Sequence, residues 1–112
     1  MKKVQLHELT PEGVAHDPRI MKRILLHESE LPCSVRLSHA TLTPGQQVSP
    51  HSHEDLYEIF YVLSGCGKFV VNGETLEVSE GSTILIDPGE VHEVINCSER
   101  DMSLLYFGLP GS

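Results

Sequence analysis

Positive charge is scarce in this sequence. Eight Lys and Arg stand against sixteen Asp and Glu, a formal net charge of −8 over 112 residues. Binding to a phosphate backbone needs clustered cations, so nucleic acid is not an expected partner. An anionic membrane surface is disfavoured for the same reason. Long apolar runs are missing too, which excludes a membrane-spanning helix of roughly 20 residues. The opening Met1-Lys2-Lys3-Val4-Gln5-Leu6-His7 carries charge without an apolar stretch behind it. No secretory signal is therefore read, and a cytoplasmic location is expected. Cysteine is limited to Cys33, Cys66 and Cys97, an odd number with no pair at metal or redox spacing. Free thiols in a reducing compartment follow from that.

What remains is a chain of single-domain length, read as one unit over 1–112 with an N-terminal arm at 1–19 and a barrel at 20–109. An apolar share of 39% with 21% charged residues excludes disorder and collagen. Turn signals recur at short intervals: Pro44-Gly45, Ser64-Gly65-Cys66-Gly67, Asn72-Gly73, Glu80-Gly81 and Asp87-Pro88-Gly89 among them. The segments between are too short for helices and rich in Val, Ile, Leu and Tyr. This is the signature of a sandwich or barrel. Strands are expected at Ile20 to Leu26, Val35 to Leu42, Glu58 to Leu63, Thr83 to Ile86, Val91 to Ile95 and Met102 to Phe107. A single helical turn is expected somewhere between Glu8 and His16.

The sharpest local element is a hairpin from Lys68 to Val78. Asn72-Gly73 suits a type I′ turn, in which both central residues take positive φ. Closing the hairpin there sets Val71 opposite Glu74, Phe69 opposite Leu76 and Lys68 opposite Glu77. Phe69, Leu76 and Val78 then share a core-facing side.

Seven histidines are many for so short a chain. His51-Ser52-His53 places two imidazoles on one side of an extended segment. Glu58 lies five residues on, and a turn would return its carboxylate to the same point. His92, after the Asp87-Pro88-Gly89 turn, can supply a third imidazole from a neighbouring strand. Three imidazoles and one carboxylate suit one divalent transition metal: Fe, Mn, Ni, Cu, Co or Zn. Four protein ligands around an ion that prefers six leave positions open for water, dioxygen or a chelating substrate. Glu54, Asp55, Glu90 and Glu93 are competing carboxylates near the same histidines. A lone His-x-His is weak evidence, since it arises by chance on any surface strand.

The wider frame is more specific. Gly45, five residues, His51-x-His53, four residues, Glu58, six residues and Gly65 match the first motif of the cupin superfamily. Gly81, five residues, Asp87-Pro88-Gly89, two residues, His92, three residues and Asn96 match the second. Asp87 stands where that motif usually has Pro, a departure that removes no ligand. The sequence thus resembles a small single-domain cupin over about half its length. The resemblance implies an all-β jelly-roll barrel (a double-stranded β-helix), with His51, His53, Glu58 and His92 as metal ligands. A homodimer is also implied, and Ile20 to Leu26 together with the arm would cover a sheet edge between the two copies.

Period-two alternation puts Phe60 and Val62 inside with Glu58, and Tyr57, Ile59 and Tyr61 outside. On the preceding strand the resemblance favours the side carrying Arg36, Ser38, Ala40 and Leu42 as pocket-facing. Arg36, Ser38 and Phe60 are then the expected substrate-binding residues, with Arg36 able to hold a carboxylate bidentately. Leu104, Tyr106 and Phe107 are expected as apolar walls of the pocket or of an interface. His7, His16, His27 and His39 are read as surface or partly buried histidines. Gly65, Gly67 and Gly89 are expected at positive φ. Two functions remain open. One is a metal-dependent enzyme (dioxygenase, decarboxylase or isomerase type) acting on a small oxygenated or anionic molecule. The other is a module that binds a sugar or small acid without turnover.

Overall fold

Asn72 and Gly73 take φ of 49° and 82°, and the strands they join pair in the expected register. Val71 opposes Glu74, Phe69 opposes Leu76 and Lys68 opposes Glu77. This hairpin belongs to an all-β computed structural model that describes residues 1–32 and 36–111. Ten strands follow in order: β1 (Glu12–Val14), β2 (Asp17–Leu26), β3 (Leu37–Leu42), β4 (Gln47–His51), β5 (Leu56–Ser64), β6 (Cys66–Val71), β7 (Glu74–Ser79), β8 (Thr83–Ile86), β9 (His92–Ile95) and β10 (Met102–Pro110). Two 3₁₀ turns, Leu6–Glu8 and Glu28–Glu30, are the helical pieces among the described residues.

The strands form two antiparallel sheets, ordered β1-β2-β3-β10-β5-β8 and β4-β9-β6-β7. Distant segments are neighbours in both, as when β10 lies between β3 and β5. That crossing pattern is the jelly-roll barrel. Ile20, Leu42, Phe60, Val62, Phe69, Val78, Ile86, Val94, Met102 and Leu104 fill the space between the sheets. The alternation of β3 and β5 is as read from sequence. Ser38, Ala40 and Leu42 point inward on β3, and Phe60 and Val62 do so on β5. Tyr57 and Tyr61 are exposed on the outer side.

Three local expectations need correction. The helical turn sits at Leu6–Glu8, while the following residues extend into β1 and pair with β2, so the sheet reaches into the stretch read as an arm. β4 has no counterpart among the expected strands, because Pro50 and the polar residues around it mask its pattern. On β2, β3 fills one side and β1 covers the stretch from Asp17 to Lys22 on the other. Gly67 is not at positive φ, although Gly65 and Gly89 are. Glycine is required at 67 by crowding: a Cβ there would lie 2.4 Å from the Ile95 carbonyl oxygen. Cys33 and Val35 lie outside the described residues, and Cys66 and Cys97 are free and exposed.

Asn96, the last residue of the second motif, has a structural task. It is fully buried. Its Nδ2 donates to the carbonyls of Leu42 at 2.8 Å and Arg100 at 2.7 Å. Its Oδ1 accepts from the Ser98 amide at 3.0 Å and hydroxyl at 2.8 Å. The side chain thereby fastens the β9–β10 turn to β3. Asn96→Ala leaves these buried partners unpaired and is expected to cost about 2–4 kcal/mol, measurable by urea denaturation. An unchanged midpoint would remove that role.

Candidate metal centre

β4 and β9 are paired so that His51 and His92 stand opposite each other. The short turn after β4 carries His53 back over the barrel mouth, and Glu58 points inward from β5, in the other sheet. One ligand atom from each of His51, His53, Glu58 and His92 lies within 4.8 Å of every other. Glu58 Oε1 is 3.2 Å from His53 Nε2 and 3.0 Å from His92 Nε2. The structure thus brings together all four residues expected as ligands.

Hydrogen bonds behind the rings decide which nitrogen faces the cluster. His51 Nδ1–H donates to the Ser49 carbonyl at 2.8 Å, and His92 Nδ1–H donates to the Glu90 carbonyl at 3.0 Å. With the proton on Nδ1, each neutral ring presents the Nε2 lone pair inward, as metal-ligating imidazoles do. In that state the Nε2 of His92 faces a Glu58 oxygen with lone pairs on both sides. These same two atoms are buried without a hydrogen-bond partner among the described residues. Buried polar atoms carry a large cost when unpaired, and a cation between them removes it. The donor set therefore fits a borderline divalent ion.

The protonation tendencies of Glu58 and His51 fit the same picture, whereas in the absence of a cation that of His92 favours a proton on Nε2 toward Glu58. Burial alone would raise the Glu58 carboxyl, but His92, His53 and His51 around it outweigh that and hold it below the usual carboxylate range. Burial pushes His51 down, only partly opposed by its bond to Ser49. For His92 burial works downward, yet the Glu58 carboxylate beside it lifts it above the ordinary value.

Beneath the cluster is a cavity of about 320 Å³, whose lining includes Arg36, Ser38, Phe60, Tyr106 and Phe107. Ser38, Tyr106 and Phe60 lie abreast on β3, β10 and β5. The Tyr106 ring stacks on Phe60 at 5.4 Å. Burial drives its phenol up to about 12, so it stays a neutral hydrogen-bonding group. Arg36 reaches the cavity edge with its fork on Glu28, at 2.5 and 3.2 Å. His16 was read as an ordinary surface histidine, yet it stacks on His51 with ring centroids 4.0 Å apart. Only the tertiary turn between β1 and β2 brings it there, and no local signal marks it. Lys22 also lines the cavity. Its signal was present, since alternation groups it with Ile20 and Ile24.

The family model described as Cupin domain matches residues 38–108. The chain belongs to this family. The cupin is 31% identical over 107 residues to a Thermotoga maritima protein named "Oxalate-binding protein", covering 91% of this chain and 88% of that one. A crystal structure described as a "predicted oxalate decarboxylase" from Thermotoga maritima superposes with a TM-score of 0.90 at 28% identity, covering 97% of this cupin and 99% of that chain. The polyketide cyclase RemF from Streptomyces resistomycificus superposes with a TM-score of 0.84 at 28% identity, covering 100% and 80%. No helix among the described residues is long and apolar enough to cross a membrane.

Proposed function

We propose that this cupin holds one divalent transition metal on His51, His53, Glu58 and His92 and uses it to bind and transform a small carboxylate-bearing molecule. The observation that carries this reading is the convergence of His51, His53, Glu58 and His92, with Glu58 Oε1 and His92 Nε2 buried in its centre, beside a cavity that His51, His53 and Glu58 help to line. A metal bound there supplies Lewis-acid polarisation of ligand oxygens. The chain's own residues do the rest. Phe60 and the buried wall around it exclude water from one side of the ligand. Ser38 and the neutral Tyr106 phenol offer hydrogen bonds to its oxygens. Arg36, held on Glu28, adds positive charge at the rim.

A compact dicarboxylate of the oxalate type is the first candidate, because the Thermotoga maritima matches, in sequence and in structure, are both named for oxalate. The same resemblance supports a second reading, binding without turnover, since one of those names denotes binding alone. Pairing of two copies belongs to the proposal as well, through the outer sheet side that exposes Tyr57, Tyr61, Leu85 and Leu109.

The test is direct. Protein purified without added chelator is expected to carry about one equivalent of transition metal and to bind oxalate in calorimetry only when loaded. Release of formate or carbon dioxide from oxalate identifies the enzyme, and binding without product identifies the carrier. Equal oxalate binding by chelator-stripped protein would refute the metal-centred reading.

A further inference from the structure

Lys22 is an unusual residue to find inside this barrel. It sits in the middle of β2, between inward-facing Ile20 and Ile24, and is only 9% exposed. Lysine is rarely buried to that degree without a partner. No hydrogen bond or ion pair joins its ammonium to another described residue. Glu12 and Glu28 act on it only through space. Glu28 is committed to the Arg36 guanidinium, and Glu12, which stands opposite Lys22 in the β1–β2 pairing, is exposed and makes no ion pair with it. The nearby Arg36 charge adds to the local positive field and, with burial, disfavours the charged lysine in the absence of an anion.

Lys22 lines the same cavity as His51, His53 and Glu58. It lies on β2, three strands from Glu58 on β5, with Tyr106 of β10 between them in the sheet. Tyr106 lines the same cavity, and its phenol feels both Glu58 and Arg36. The cavity lining therefore carries a chelating cluster, apolar walls that include Phe60 and Leu104, and the cation of Lys22.

Building on the metal-centred reading above, we infer that Lys22 is the anchor for a second anionic group, and that the preferred ligand is an elongated organic acid. One end chelates at the His/Glu cluster and the other carries a carboxylate that reaches Lys22. Oxalate, with its two carboxylates joined directly, occupies only the first end. A carboxylate at the far end gives Lys22, which has no hydrogen-bond partner among the described residues, a charge-assisted hydrogen bond inside the cavity.

The experiment compares acids that share a chelating 2-oxo-carboxylate head. 2-Oxoglutarate and 2-oxopentanoate differ only by a terminal carboxylate in place of a methyl group, and 2-oxoadipate with 2-oxohexanoate repeats the comparison one carbon longer. Calorimetry on the metal-loaded protein is expected to show at least a tenfold preference, about the worth of one such bond, for the diacid in one of the pairs. Lys22→Met should abolish the preference, leaving metal content and monoacid affinity unchanged. Lys22→Arg, which keeps the charge, should retain part of it and covers the case of a Met variant that fails to fold. Monoacid binding with no diacid preference, or a preference that survives Lys22→Met, overturns the role of Lys22 and leaves the metal reading standing. Failure of all four acids to bind while oxalate still binds overturns the role of Lys22 alone, and failure of oxalate as well overturns both.

Discussion

His92→Ala is expected to lower divalent-metal affinity by more than about 100-fold, since loss even of a group behind the ligands costs 10- to 100-fold. The imidazole is 1% exposed and its Nε2 faces Glu58 Oε1 at 3.0 Å. No other described side chain can take its place opposite His51 across the β4–β9 pair. Metal analysis of the purified variant, with chelator competition against the unsubstituted chain, measures the effect. His39→Ala is the control, because His39 lies on the outward side of β3 and should leave loading intact. Chelator added to the unsubstituted protein should lower its melting temperature. A ligand at 100 times its dissociation constant contributes about 2.7 kcal/mol to the folded state. Near-normal metal content in His92→Ala would overturn the ligand assignment.

Phe69→Ala is expected to destabilise the fold by about 3–5 kcal/mol. Phe69 is completely buried and meets Phe60 edge-on, with centroids 5.1 Å apart. Its removal opens a void between the two sheets that neighbouring strands cannot close. A domain of ordinary stability has only about 5–15 kcal/mol in total, so the melting temperature should fall by more than about 10 °C. Leu76 stands opposite Phe69 in the hairpin but is only partly buried, so truncation there should cost less. Equal losses at the two positions would show that the barrel interior is not centred on Phe69.

These two residues illustrate how much the sequence discloses. The Phe69 hairpin is local: an Asn-Gly turn fixes its register and period-two alternation fixes its inner side, so both are readable without a structure. The four-residue cluster is not local, since Glu58 and His92 come from different sheets. It was legible only because its spacings match a known pair of motifs. The parity of β5 follows from alternation once Glu58 is taken as inward, whereas that of β3 came only from the family resemblance, because both of its sides carry apolar and polar residues. His16 shows the limit, because its contact with His51 depends on how the β1–β2 turn folds over the mouth. Gly67 shows another. The residue is needed, but crowding against Ile95 rather than turn geometry is the reason, and crowding cannot be read from one strand.

The placement of the four candidate ligands also bears on the life of the molecule. Glu58 stands on the larger sheet, and His51 and His92 stand on the smaller one. An ion gripped by all of them would act as a rivet between the two sheets. Scarcity of the ion then becomes a matter of survival as well as of activity, since the unriveted chain is the form that proteases can pry apart.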